Sequence, residues 1–329
     1  MKKKNVAIIA GGDSGEYEIS INSANVVYKY LPKDKFKPFL IVVSAKEWYY
    51  LDKDNQRFDI NKSDFSLPMN NRTIKFDVVF NIIHGTPGEN GIFQGYLDLL
   101  QIPYTSCGLL CSSLTFNKAY CNRVVASFGT NVARSVHLIK NHPYNLSGIG
   151  KEIKFPVFVK PANGGSSVAT SKVIDLPGLQ AAIELAYTED DEVLIEEFIP
   201  GREVSCGAFK YKGKMLIFPI TEIITKKEFF DYEAKYTKGV ADEITPANIP
   251  LEVEIECKAL SSELYQKLNC KGVVRFDYIF NKSGIFFLEV NTVPGMSEAS
   301  IVPQQAREMG IGIDQLFEMM IEEALGNNS

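Results

Sequence analysis

GVVRFDYIF (272–280) and, after a polar break, FFLEVNTVPG (286–295) alternate apolar and polar side chains with the two-residue rhythm of β-strands. In the first run Arg275 and Asp277 share one face, while Val274, Phe276 and Tyr278 take the other. In the second, Glu289 and Asn291 fall opposite Leu288 and Val290. If the two runs pair as a hairpin, the even residue-number sum sets Asp277 across from Glu289 and Arg275 across from Asn291. One face then carries three oxygen ligands of the hard kind that suits magnesium, beside a fixed positive charge. Alternation alone is equally that of an exposed polar sheet face. The sharp turn from Asn291 to Gly295, where a glycine amide is free to approach a substrate, argues for a site.

Working outward, NVAIIA (5–10), PFLIVV (38–43) and FDVVFNII (76–83) are nearly continuous apolar runs rich in β-branched residues. Strands of a parallel sheet, buried on both faces, read this way. Ile21, Ala24, Val27, Tyr28 and Leu31 recur at helical spacing between the first two. Strand, helix, strand is the pattern of a doubly wound α/β unit with a parallel sheet, expected over 1–115. A helix is expected across Ser112–Asn131, ending at Gly129. Strands over 155–160, 192–199, 203–211 and 214–220, with a helix over 176–187, then indicate an α+β unit with a mostly antiparallel sheet. We set this central unit at 116–208. The C-terminal unit, 209–329, holds a helix over 251–268, the hairpin, and a final helix over 313–325.

Bulk properties agree. A chain of 329 residues is too long for one ordinary core. A net charge of -5 and a pI near 5.5 argue against a general nucleic-acid binder. The opening MKKKNVAIIAGG mimics a signal peptide, but its apolar run, Val6 to Ala10, is too short for export. No stretch approaches the roughly 20 apolar residues that cross a bilayer. Six cysteines form no CxxC pair, and Cys107 with Cys111 lacks a second ligand pair, which argues against zinc. They read as buried free thiols of a cytoplasmic protein.

The hairpin sequence LEVNTVPGM (288–296), with VRFDYIF upstream, resembles the ATP-grasp ligases, and the whole chain resembles their D-alanine–D-alanine ligase branch. Six motifs stand in the family's order: AGGDSGEYEISINSA (10–24), HGTPGENGIFQG (84–95), FPVFVKPANGGSSV (155–168), VLIEEFIPGREVS (193–205), FDYEAKY (230–236) and LEVNTVPGMSEASIVPQ (288–304). The resemblance implies a three-domain ATP-grasp architecture that binds ATP between its central and C-terminal domains. It implies that Lys118 and Lys160 contact phosphates, Lys235 the transferred phosphoryl, Glu196 and the backbone near Ile199 the adenine, and Glu203 the ribose. Glu16 would receive the amino group of the first D-alanine, with Ser166 and Tyr236 completing the set and His84 in the substrate pocket. Ser300 and Ile301 would hold the second D-alanine's carboxylate, and Arg275 with the Gly295 amide the oxyanion. Asp277, Glu289 and Asn291 would hold magnesium, for which manganese is a substitute. Glu197 and Phe198 stand where the family often has a lysine and an aromatic. The implied partners are ATP and D-alanine, with neither nucleic acid nor membrane, in a homodimer.

Three rival readings stand beside it: another carboxylate–amine ligase with a different second substrate, a dinucleotide oxidoreductase and a catalytically dead binding module. The oxidoreductase reading fails on Gly11–Glu16, which lacks GxGxxG spacing, and on PFLIVVSA, which ends without an acidic ribose ligand. A catalytically dead binding module is opposed by the intact set of Asp277, Glu289 and Asn291.

Overall fold

In the computed structural model, which describes residues 2–165, 167–225 and 241–326, the three N-terminal apolar runs pair side by side. Strand Lys4–Gly11 lies between Phe36–Val43 and Val78–Asn81, parallel to both. Its side chains alternate between two cores. Val6, Ile8 and Ala10 pack with helix Tyr17–Tyr30, and Ala7 and Ile9 with helix Ile92–Leu99. The sheet is mixed, however, not purely parallel as expected. Strands Trp48–Leu51 and Arg57–Asp59 extend it as an antiparallel meander. The chain turns back within Ser44–Glu47, too short a connection for the crossover that a parallel neighbour requires.

A second, antiparallel sheet has the order Ser171–Val173, Val157–Pro161, Glu192–Glu197, Ser135–Ile139. Val157, Val159, Val193 and Ile195 face helices Leu146–Glu152 and Leu176–Ala186 in one core. The pleat therefore sends Phe158, Lys160 and Glu196 to the opposite face.

The third sheet holds Ala241–Ile244, Thr221–Thr225, Arg202–Tyr211, Val273–Asn281 and Gly284–Asn291 in that order, with Lys214–Ile217 also on Arg202–Tyr211. Arg202–Tyr211 thus pairs wholly with the C-terminal strands, although most of it falls inside 116–208. Helix Leu251–Lys267 covers this sheet through Cys257, Leu264 and Tyr265.

Two further differences shape the site. The helix expected across 112–131 is two helices, Leu109–Phe116 and Lys118–Ser127. Asn117 adopts an extended conformation between them, and its Oδ1 accepts from the amides of Ala119 and Tyr120 at 3.1 and 3.2 Å. That cap, worth about 1 kcal/mol, starts the second helix at Lys118. The final helix, Ile313–Gly326, leaves the C-terminal sheet region to pack on the first sheet, with the Phe317 and Phe80 rings 5.6 Å apart. Phe209, Val293 and Met296 join the same core, so the first and third sheets share one interior. Among the described residues no helix is long and apolar enough to cross a membrane.

Candidate active site

The hairpin pairs in the register expected: Asp277 stands across from Glu289 and Arg275 from Asn291. A β-bulge between Asp277 and Tyr278 pairs Tyr278 with Phe287 and leaves Leu288 as the extra residue. Leu288 therefore does not share the buried face of Val290; it lines the cavity beside Glu289, while Phe287 packs in the core with Val290. An extra residue in one strand shifts the alternation by one, which a uniform two-residue rhythm does not anticipate.

Asp277 is 4% exposed and holds four donors. Arg275 donates through Nε and Nη2, at 2.8 and 2.7 Å; Asn291 Nδ2 donates at 3.2 Å, and Ser205 Oγ donates from the neighbouring strand. Burial works against the Arg275 charge, but Asp277, Glu289 and Glu243 outweigh it and hold its pKa above the ordinary range. Two carboxylates and one amide on paired strands are a hard-oxygen set, so the residues present fit a magnesium ion.

A cavity of about 860 Å³ opens in front of the hairpin. Lys118, Lys160, Glu196, Ile199, Glu203 and Glu289 all line it, as does Glu16. Lys160 is ion-paired with Glu196. Burial lowers the Lys160 pKa, but Glu196 and Glu289 more than reverse this and keep it charged. Asn122 Nδ2 donates to the other Glu196 oxygen at 2.7 Å. Lys118, at the start of its helix, donates to the Gly164 carbonyl and lies 3.8 Å from Glu289 Oε2. Phe158, Phe198, Ile279 and Leu288 supply apolar wall, the lining a planar base needs. Glu197 is turned to the backbone, accepting from the Lys154 amide at 2.8 Å.

The glycine loop is anchored at its start, where Asp190 accepts from both the Asn163 amide and Nδ2, at 2.7 and 2.9 Å. It then passes over Glu16 so closely that a Cβ on Gly165 would lie 2.8 Å from Glu16 Oε2. Glu16 stands at the N-cap position of helix Tyr17–Tyr30 without a side-chain capping bond, and its amide donates to Ser14 Oγ, which in turn donates to the His84 carbonyl.

His84 is 6% exposed. Its Nδ1 lies 2.9 Å from the Val293 carbonyl, which only accepts, so Nδ1 carries the proton. Burial lowers the His84 pKa, opposed by Glu16, leaving a neutral ring with Nε2 as an acceptor. Among the described residues Nε2 has no partner. A buried orphan acceptor beside Glu16 is a place for a substrate N–H or O–H.

Sequence reasoning missed Glu89. Its Oε2 accepts from the Gly85 amide at 2.7 Å and its Oε1 from the Val293 amide at 3.3 Å, tying HGTPGENG to the hairpin's exit turn. Burial, together with the Glu16 charge, pushes its carboxyl up to about 8. The available signal was an acid between glycines in a motif otherwise read only for His84.

Gly295 abuts Ser300: a Cβ there would lie 2.9 Å from Ser300 Oγ. Ser300 Oγ accepts from the Ser297 amide at 3.1 Å, and Ser300 immediately precedes helix Ile301–Glu308. The first amides of that helix, Ile301 included, lack intrahelical partners and are suited to a carboxylate. Ser166, Lys235 and Tyr236 lie outside the described residues.

Residues 5–107 match the family model for the D-ala D-ala ligase N-terminus and residues 124–322 that for its C-terminus. The D-alanine–D-alanine ligase of Parabacteroides distasonis is 44% identical over 326 residues, 99% of this chain and 98% of its own. The crystal structure of the VanG D-Ala:D-Ser ligase from Enterococcus faecalis superposes with a TM-score of 0.88 at 33% identity, covering 98% of this chain and 100% of that one. The D-alanine–D-alanine ligase from Bacillus anthracis complexed with ATP gives 0.79 at 28% identity, covering 99% and 98%. The fold is thus that of ligases of the ATP-grasp type. The chain belongs to the D-alanine–D-alanine ligase family.

Proposed function

We propose that this chain joins two D-alanine molecules into D-alanyl-D-alanine at the expense of ATP, for peptidoglycan precursor synthesis. The observation that carries the reading is a single cavity walled by Glu16, Lys118, Lys160, Glu196 and Glu289, with the orphaned His84 nitrogen close to Glu16.

Joining a carboxylate to an amine is uphill in water, so the carboxylate first needs a better leaving group. Lys118 and Lys160 hold phosphates as flexible point charges, and Lys235 the transferred phosphoryl. Glu196 and the Ile199 backbone take adenine, and Glu203 the ribose. The Asn163–Ser167 loop covers the phosphates with its amides. Glu16 receives the first D-alanine's ammonium, with Ser166 and Tyr236 completing that set and His84 Nε2 accepting from substrate. The first carboxylate attacks the γ-phosphorus; the bond to ADP breaks and an acyl phosphate forms. The second D-alanine, its carboxylate on Ser300 and the Ile301 amide, attacks the acyl carbon through its amine, which loses a proton as phosphate leaves. Arg275 and the Gly295 amide meet the oxyanion. Asp277, Glu289 and Asn291 would hold magnesium, or manganese in its place, which when bound neutralises phosphate charge.

We further propose a cytoplasmic homodimer of three domains, near 1–115, 116–208 and 209–329, in which the pairing of Arg202–Tyr211 favours a last boundary just before 202.

The test is an assay with ATP, magnesium and D-alanine, in which D-serine and D-lactate compete and the product is identified. The expected result is D-alanine-dependent phosphate release with D-alanyl-D-alanine as main product. Phosphate release indifferent to D-alanine, or a product dominated by a competitor, would refute it.

A further inference from the structure

Away from the cavity, three cysteines far apart in sequence meet in the interior. Cys107 precedes helix Leu109–Phe116, Cys111 lies in its first turn, and Cys270 lies between helix Leu251–Lys267 and strand Val273–Asn281. Their sulfurs all lie within 4.8 Å of one another, and Cys111 Sγ is 3.8 Å from Cys270 Sγ. All three are free thiols, with exposures of 0%, 3% and 7%.

One buried thiol is explained by packing, since cysteine behaves as a small hydrophobe. Three sulfurs converging on a point are a different arrangement. Around a single ion, thiolates at about 2.3 Å stand roughly 3.8–4.0 Å apart, so the present separations need to close by less than about 1 Å. The Lys271 amide donates to Cys107 Sγ at 3.3 Å. The Cys107 thiol donates to the Lys271 carbonyl at 3.2 Å.

We propose that Cys107, Cys111 and Cys270 form a second ligand site, one that takes a soft, thiolate-seeking d10 metal ion and fastens helix Leu109–Phe116 to the C-terminal sheet. Thiolates select zinc(II) and copper(I) among such ions. Three sulfurs alone satisfy copper(I). Zinc(II) leaves less excess negative charge in the interior, but prefers a fourth donor; the Lys271 carbonyl, 3.2 Å from Cys107 Sγ, is a nearby oxygen. Either ion displaces the thiol protons still held, so loading releases protons. Ser106 and Lys271, the immediate neighbours of Cys107 and Cys270, line a separate cavity of about 450 Å³, which brings solvent within one residue of the sulfurs.

The test titrates reduced, metal-free protein with zinc(II) and, without oxygen, with copper(I), counting sulfur ligands by X-ray absorption. One ion bound per chain by three sulfurs is expected for at least one metal, with slower alkylation of these three cysteines than of Cys257. Cys111→Ser and Cys270→Ser should each weaken binding by more than the roughly 10–100-fold typical of losing an outer-shell partner, and Cys257→Ser should not. The sulfur count and alkylation pattern use the unaltered chain, so they decide the matter even if a variant misfolds. Fewer than three sulfurs for both metals, or equal slowing at Cys257, overturns the proposal.

Discussion

Arg275 grips Asp277 through two parallel hydrogen bonds, 2.8 and 2.7 Å long, between residues two apart on one strand. The pair changes what removing Arg275 should do. If Arg275 were only an oxyanion donor, Arg275→Ala would lower turnover and spare the fold. With Asp277 buried behind that fork, the substitution also leaves a carboxylate without its main counter-charge. Arg275→Ala should cut turnover by the about 2.7–4 kcal/mol typical of a lost oxyanion donor. It should also destabilise the protein by about 3 kcal/mol, the lower end for a broken buried pair because Arg275 is itself partly exposed. Magnesium should restore part of the melting temperature and none of the turnover. An unchanged melting curve removes the structural half of this prediction; near-normal turnover removes the catalytic half.

Gly165 tests how closely the glycine loop lies over Glu16. A methyl group there has 2.8 Å to Glu16 Oε2, well inside contact distance. Gly165→Ala should lower kcat/KM for D-alanine by about tenfold through misplacement of Glu16 or the loop. The melting temperature should hardly move, since Gly165 is exposed. Unaltered steady-state kinetics contradict the close approach.

Glu89 predicts an unusual pH dependence of stability. Its folded pKa is raised to about 8, so the fold favours the protonated form. The unfolded chain releases this proton near pH 4.5. Glu89's contribution is therefore full below about 4.5 and lost as pH rises through about 8. Glu89→Gln should gain stability relative to the parent between pH 5 and 8 in substrate-free melts. A difference constant with pH rejects the assignment.

His84 tilts the profile the other way. Its folded pKa is depressed, so its contribution is present above about 6.5, the unfolded value, and falls as pH drops toward the folded one. His84→Gln should flatten the acid limb of the melting profile below about 6.5. Retention of the parent's full acid sensitivity counts against a buried neutral ring.

Product choice tests the resemblance at Tyr236. The resemblance implies that an aromatic lacking its hydroxyl at the matching position goes with D-alanyl-D-lactate synthesis, so the parent chain should form the dipeptide at neutral pH. Tyr236→Phe should shift a D-alanine/D-lactate competition toward the depsipeptide. A parent already making mostly depsipeptide contradicts the reading.

Local pattern made much of this visible in the sequence. The pairing of Asp277 with Glu289 follows from alternation and a turn, both local. The bulge at Leu288 does not, because an extra residue leaves hydrophobic composition unchanged. Asn117 is a strong helix-starting residue, yet the apolar run around it reads as one unbroken helix. Long-range closeness was the least legible. Glu89 looks like a loop carboxylate until Val293, 204 residues later, donates to it. Cys107 and Cys111 look like an isolated pair until Cys270 arrives from the other side of the chain.

The last helix, Ile313–Gly326, rests on the first sheet, with Phe317 against Phe80 and helix Tyr17–Tyr30 nearby. The two ends of the chain are thereby locked into one body, and truncating Phe317 to alanine should cost about 3–5 kcal/mol. Hinging between the outer units would tear that shared interior. Opening of the cavity should therefore fall to the four-stranded sheet that carries Lys160 and Glu196.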